Sequence, residues 1–281
     1  MSKVFRALEK AEREKQVRPV REEPVVEIFD VESISPKNDG QGSRDLAEEM
    51  ERLELPEKEV ELIPVAGAGT FAVEQFRKLK THLFRMAPKP PRCLLITSTV
   101  PQEGKTVVTM NLAMSIAQEF SKRVIVIDAD LRKPSLYPVK FSHRKGLSDY
   151  LSSGTPVSEV IKSLNSGKLS IIPGGSPCAN PAELISSGKM RDLIVGLRGR
   201  DEETYVLIDS PPILSSSEPL MLSEWVDGIV FVVMADQAGR GSVEKAVRAI
   251  DRGKILGIVF NSKELKPDKI YSDYYYRSYK K

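Results

Sequence analysis

The sequence predicts an α/β fold in three layers, a mostly parallel sheet with helices packed on both faces. Three observations carry that prediction. Short apolar runs alternate with stretches of helical periodicity: Cys93 to Ile96, Val124 to Ile127, Tyr205 to Ile208, Asp227 to Val233 and Ile255 to Phe260. Such alternation builds parallel strands joined by crossover helices. The first run is followed by a polar loop and a helix start at Gly104-Lys105-Thr106. Two later runs stop on acids, at Asp128-Ala-Asp130 and at Asp209. Phosphates bind at the carboxyl ends of strands in folds of this kind, where the loop and both acid sites converge.

The stretch Ser98-Thr-Val-Pro-Gln-Glu-Gly-Lys-Thr106 has the layout of a phosphate-binding loop, which makes the fold P-loop NTPase-like. Thr99, Val100, Pro101, Gln102, Glu103 and Gly104 form the loop, and Lys105, Thr106 and Val107 the first helical turn. Orphan N–H groups and the helix dipole there favour an anion such as ATP. Lys105 reaches the terminal phosphates, and the Thr106 hydroxyl sits on Mg²⁺. The usual pattern opens with Gly where this chain has Thr99. A carboxylate at a strand end can also simply cap the next turn. Two such acid sites after a phosphate loop suit Mg²⁺ better, a hard ion bound by a few carboxylates, phosphate oxygens and water. Asp130 and Asp209 are the candidate metal carboxylates, and Asp128 stands beside the γ-phosphate.

At 281 residues the chain can bury one sizeable core and carry extra segments. No apolar run approaches the roughly 20 residues of a membrane span, and the N-terminus lacks a signal-peptide core. Cys93 and Cys178 give neither a disulfide framework nor a metal spacing, which fits a reducing cytoplasm. Net charge is +3, unevenly spread: residues 1–62 hold 17 acids and 11 bases, and the remainder is basic. A mildly basic catalytic part fits nucleotide and gives no argument for nucleic acid.

In chain order, residues 1–16 read as a short amphipathic helix with Val4, Phe5, Leu8 and Ala11 on one face. Residues 17–69 read as a flexible linker with a possible short helix at Ser43 to Leu55. Thr70 starts a helix to about Met86, with Val73, Phe76, Leu79 and Leu83 inward. The phosphate-loop helix runs to about Phe120, with Val108, Leu112, Ile116 and Phe120 as its core side. Arg132, just past the second strand, is set to face phosphates or a carboxylate. Gly146 to Leu151 and Pro156 to Leu164 read as short helices, and Leu169 to Ile172 as a strand ending in Pro173-Gly-Gly175. Asn180-Pro-Ala-Glu183 opens a helix to about Leu197, with a cap, a proline and an acid in order. Ser217 to Trp225 and Ser242 to Arg252 complete the helices. After the last strand, Phe260-Asn261-Ser-Lys-Glu264 is not the guanine-reading Asn-Lys-x-Asp; Asn261 remains a candidate contact to the base.

Lys263 to Lys281 holds Tyr271, Tyr274, Tyr275, Tyr276 and Tyr279, five of the chain's eight tyrosines. Three in a row cannot share a helix face, and the lysines and aspartates around them deny a dry core. An edge strand or sticky interface is the bland reading. With a nucleotide site upstream, a phenol-bearing tail that accepts phosphate is the favoured one.

The sequence resembles the bacterial tyrosine kinases of capsule and exopolysaccharide synthesis. The resemblance rests on Ser98 to Thr106, Val126-Ile-Asp128-Ala-Asp130-Leu-Arg132-Lys-Pro134, Leu207-Ile-Asp209-Ser-Pro-Pro212 and the tyrosine cluster. Gly146 to Leu151, Pro173-Gly-Gly175 and Asn180 to Leu184 extend it over about residues 70–281. It implies a kinase domain over 70–265 and a tyrosine-rich tail over 266–281. The implied activity is ATP- and Mg²⁺-dependent autophosphorylation of tail tyrosines, often in a neighbouring subunit of a ring. The ring helix of that family corresponds to Glu74-Gln-Phe-Arg77-Lys-Leu-Lys80, with Lys80 in place of an arginine. Gln102 stands where the family usually has Gly. The resemblance further implies a separate membrane-spanning co-polymerase-type activator, a cognate tyrosine phosphatase, and a place at the inner face of the plasma membrane through that activator. Lys105, Asp128, Asp130 and Asp209 carry the chemistry in this reading; Asp128 and Asp130 could exchange the roles of tyrosine-orienting and metal-holding group. The rivals are a positioning ATPase of the ParA/MinD type and a nucleotide-dependent adaptor without transfer. The positioning ATPases carry an extra lysine where this chain has Val100.

Overall fold

A computed structural model describes residues 70–86, 88–136, 145–164, 167–235 and 237–261. The expected N-terminal helix, the linker and the tail with Tyr271, Tyr274, Tyr275, Tyr276 and Tyr279 lie outside the described residues. The described chain opens with α1 (Thr70–Phe84), β1 (Cys93–Ser98), α2 (Lys105–Ala117) and β2 (Arg123–Asp128). It continues through α3 (Leu147–Ser153), α4 (Val157–Val160), β3 (Lys162–Leu164), β4 (Leu169–Ile172), α5 (Pro181–Ile185) and α6 (Gly188–Gly199). Then come β5 (Thr204–Asp209), α7 (Glu218–Ser223), β6 (Gly228–Met234), α8 (Arg240–Arg248) and β7 (Ile255–Asn261).

The strands form one sheet in the order β3-β4-β2-β5-β1-β6-β7. All neighbours run parallel except β3 and β4. β1 is flanked by β5 and β6 and covered on both faces, so all six of its residues are buried. That is why it reads as an unbroken apolar run rather than an alternating one. Its side chains still divide between two cores. Cys93 and Leu95 join one with Ile125, Ile127, Val206, Ile208 and Phe231. Leu94 and Ile96 join the other with Leu112, Ile116, Val124, Val126 and Leu207. The sheet is thus the middle layer of three.

Several expected elements differ. Residues 162–164, expected as helix, form strand β3 and pair antiparallel with β4. The three residues gain a ladder that a four-residue helix end could not offer. The helix expected from Asn180 to Leu197 breaks at Ser186 and Ser187, and Ser187 caps α6 by accepting from the Met190 N–H at 3.2 Å. Asn180 does not cap by accepting; its amide donates to the Glu183 carboxylate at 3.0 Å. α2 stops at Ala117, and Phe120, expected in the core, is 96% exposed in the turn beyond it. The helix expected at Ser217 to Trp225 keeps its place with tighter bounds, Glu218–Ser223, and the one expected at Ser242 to Arg252 is shifted toward the N-terminus, to Arg240–Arg248.

Candidate active site

β1 delivers the chain to the phosphate loop, and α2 leaves it at Lys105. Gly104 has φ +85° and no side chain caps the helix, so the first-turn N–H groups of Lys105, Thr106 and Val107 are left for an anion. Gln102 has φ +67°, the one positive value outside glycine among the described residues. This is where the resembling family carries Gly, and the geometry gives the reason. Pro101 and Gln102 are exposed at the loop's tip.

Glu103 behaves differently from its neighbours. Its carboxylate is fully buried and turned back into the protein, accepting the Val100 N–H at 2.8 Å and the Met234 N–H at 3.1 Å. Two expected ATP contacts are therefore corrected: the Glu103 side chain and the Val100 N–H satisfy each other inside the loop. Thr99 is buried, and its hydroxyl has no hydrogen-bond partner. Asn261, expected against a base, donates its amide to the Glu103 carbonyl at 3.0 Å.

The two acid sites meet beside this loop because β2 and β5 are neighbours in register, with Asp128 opposite Asp209. Thr106 donates its hydroxyl to Asp209 Oδ2 at 2.6 Å, and its oxygen lies 2.9 Å from Ser135 Oγ. Asp209 Oδ1 is buried with no partner. Burial, then the charge of Asp128, push the Asp209 carboxyl up to about 7, with Thr106 and Lys105 pulling the other way. Burial likewise pushes Asp128 up to about 6 against the hydrogen bonds it accepts. Those come from the N–H groups of Asp130 at 3.2 Å, Ser135 at 2.9 Å and Leu136 at 2.9 Å. Asp128 is closed off from solvent and fixes the 130–136 loop. Asp130 is partly exposed; burial raises its pKa, and the Lys133 N–H and Lys105 lower it. No lysine or arginine forms an ion pair with Asp128, Asp130 or Asp209 among the described residues.

Arg132, expected to face phosphates or a carboxylate, donates its Nε–H to Glu218 Oε1 at 2.8 Å. Glu218 is buried, and its other oxygen has no partner. Ser135 and Glu218 escaped the sequence reading. Ser135 follows a proline turn, and Glu218 reads as an ordinary acid at a helix start; only the fold brings them here.

Beside Asp128, the end of β4 interlocks with the start of α3. Leu147 and Ser148 donate N–H groups to Pro173 and Gly174 carbonyls at 2.7 and 3.0 Å. Asp149 accepts the Gly146 and Ser176 N–H groups at 2.8 and 3.1 Å. A Cβ on Gly174 would lie 2.7 Å from Pro134 and so push into the acid loop.

The donor set fits a hard divalent cation. It offers a carboxylate oxygen without a partner, an adjacent hydroxyl and a second carboxylate close by, all oxygen. No group of three or more His, Cys, Asp or Glu converges among the described residues, so phosphate oxygens and water would complete the shell.

The expected subunit-contact set is split. Glu74 and Arg77 pair with each other at 3.4 Å on the α1 surface. Lys80 is buried and salt-bridged to Glu119 at the end of α2, which corrects its place in that set. Six positions turn a helix by about 240° beyond one full turn, so Lys80 faces inward while Glu74 does not.

No family model matches the chain. The chain is similar to the tyrosine-protein kinase YwqD of Bacillus subtilis (strain 168), at 32% identity over 205 residues, 72% of this chain and 85% of YwqD. The chain belongs to the bacterial tyrosine kinases. The tyrosine-protein kinase CpsD of Streptococcus agalactiae is 31% identical over 193 residues, 67% of this chain and 82% of CpsD. Among solved structures, the kinase domain of the Escherichia coli tyrosine kinase ETK superposes with a TM-score of 0.64 at 29% identity, covering 76% of this chain and 85% of that domain. The chimerical protein CapA2B2 shares the fold at a TM-score of 0.65 and 24% identity, over 80% of this chain and all of that one. Among the described residues no helix is long and apolar enough to cross a membrane.

Proposed function

We propose that this chain is a protein-tyrosine autokinase that transfers the γ-phosphate of ATP to its own tail tyrosines. The observation that carries the reading is the meeting of an uncapped phosphate loop with Thr106 and Asp209, one of whose oxygens is buried and unpartnered. Phosphoryl transfer asks for positioning and charge neutralisation more than covalent chemistry. The first-turn N–H groups and Lys105 hold the β- and γ-phosphates. Thr106 and Asp209 would hold Mg²⁺, with Asp130 beyond them, and the ion would supply positive charge against the charge building on the transferred group. Asp130, the partly exposed acid, aligns the incoming phenol and takes its proton late, because a phenol with a pKa near 10 gives it up only as transfer proceeds. Asp128 keeps the loop that carries Asp130 in place. The tail tyrosines Tyr271, Tyr274, Tyr275, Tyr276 and Tyr279 are the acceptors, in a neighbouring copy of a ring.

The reading extends to regulation of exopolysaccharide or capsule polymerisation at the inner face of the plasma membrane. A separate membrane-spanning co-polymerase-type activator and a cognate phosphatase serve it there. Its support is the family.

The test is direct. Full-length protein incubated with Mg²⁺ and labelled ATP acquires phosphotyrosine, and peptide mapping places it in the tail. Replacement of the five tail tyrosines by Phe removes most of the label. ATP binding without transfer, with and without a candidate activator's cytoplasmic piece, would overturn the kinase reading in favour of a positioning ATPase, if ATP is hydrolysed, or an adaptor, if it is not.

A further inference from the structure

Two side chains whose polar groups are turned to the backbone tie the phosphate loop to strands beyond it. The Glu103 carboxylate bridges the loop's start, at the Val100 N–H, to the end of β6, at the Met234 N–H. The Glu103 carbonyl in turn accepts the amide of Asn261, the last residue of β7. Asn261 itself is anchored, since its carbonyl accepts the Ala235 N–H at 3.0 Å. The fit is close: a Cβ on Gly104 would sit 2.1 Å from Asn261 Nδ2. Between these ties lies Gln102 at φ +67°, a conformation that costs a non-glycine residue roughly 1 kcal/mol. The loop's shape is therefore imposed by side chains on its neighbours, where a glycine at 102 would have adopted it freely.

We infer that Glu103 and Asn261 are positioning residues that hold the phosphate loop in its nucleotide-binding shape against the strain at Gln102. The inference rests on the nucleotide reading above and adds to it the residues that set the loop. Removing either tie lets Gln102 relax toward negative φ. The N–H groups that face phosphate then spread over several arrangements, of which one binds.

The test uses the full chain, a fluorescent ADP analogue with Mg²⁺, and thermal melts of each variant. Asn261→Ala is expected to weaken binding about 5-fold to 10-fold, the worth of one hydrogen bond plus the loosened loop. KM for ATP rises while kcat at saturating ATP holds, since the loop still adopts its shape when occupied. Glu103→Gln loses one of its two N–H acceptors and weakens binding further. The deciding measurement is Gln102→Gly in the Asn261→Ala background: relieving the strain recovers most of the lost affinity, while the same change in the wild type alters it less than 2-fold. Wild-type affinity in Asn261→Ala, or the same factor from Gln102→Gly in both backgrounds, would overturn the inference. A wild-type chain that fails to bind the analogue overturns the nucleotide reading itself, and this inference with it.

Discussion

The two edges of the sheet carry the same kind of residue in opposite electrical states. At the amino edge each acid has partners. Asp227 accepts the N–H groups of Arg92 and Cys93, both at 2.9 Å, and pairs with Arg198 at 2.5 Å. Burial works against the charge of Asp201, but the Thr204 hydroxyl, the Glu203 N–H and Arg123 outweigh it and hold the carboxyl below its usual range. At the carboxyl edge Asp128 and Asp209 are buried deeper, with no cation among the described residues paired to either, and both pKa values are pushed up. An edge that serves only the fold satisfies its charges. An edge left under electrostatic strain is where a bound ligand would supply the missing charge, and the proposed function makes that ligand a nucleotide with its cation.

The largest expected effect comes from removing the cation the chain itself supplies to that edge. Lys105→Met is expected to lower tail phosphorylation by at least about 100-fold, the scale of losing one strong stabiliser of transferring charge. The fold survives, because a methionine fills the same buried channel with little change of volume. Phosphotyrosine immunoblotting and circular dichroism check both halves. Persistent label in a folded variant would remove the nucleotide site from β1.

Next is the strain itself. Asp209 has a folded pKa of about 7 against an ordinary value near 4. A raised carboxyl favours the folded state below the unfolded pKa, and that advantage is lost as pH rises through about 7. Asp209→Asn removes the dependence. In chelator at pH 8 the variant is expected to be more stable than the wild type by on the order of 2–4 kcal/mol, and about equal at pH 4. At the other edge the sign reverses: Asp201→Asn loses a favourable charge and costs about 1 kcal/mol or less at pH 8. Urea melts at the two pH values decide it; equal slopes for both variants would dissolve the contrast.

The same proton competes with the metal. Mg²⁺ affinity of the chain saturated with a non-hydrolysable ATP analogue is expected to rise about tenfold per pH unit up to pH 7 and then flatten. Calorimetric titration at three pH values measures it. A flat profile would mean that Asp209 is already ionised before the metal arrives.

How much of this was legible depended on whether a feature was local. β1, β2, β5 and β6 are central strands, so burial on both faces wrote itself into the chain as apolar runs. The acids at their ends stood out for the same reason, as charge after an unbroken dry stretch. β3 did not, because Lys162-Ser-Leu164 becomes a strand only through the ladder that β4 offers. The break at Ser186-Ser187 was masked by apolar periodicity running on through Leu193 and Leu197, although a serine pair before Gly188 is a capping signal. Within the site, residues with a motif were found and those recruited by tertiary contact were not. Glu218 meets Arg132 across 86 positions of sequence, and Ser135 meets Thr106 across 29.

The smallest expected effect concerns α1, away from both edges. Glu74 and Arg77 form a single exposed pair, worth less than about 0.5 kcal/mol to the folded chain. Exchanging them, Glu74→Arg with Arg77→Glu, keeps the local pair and should leave the melting temperature unchanged. It inverts the field the helix presents to anything outside. If the two residues make a subunit contact, the exchange lowers the oligomer size seen by sedimentation velocity, and a copy of the partner surface with inverted charges restores it. With Lys80 turned inward to Glu119, these two charges are what remains of that face, so an unchanged size distribution would take α1 out of any ring contact.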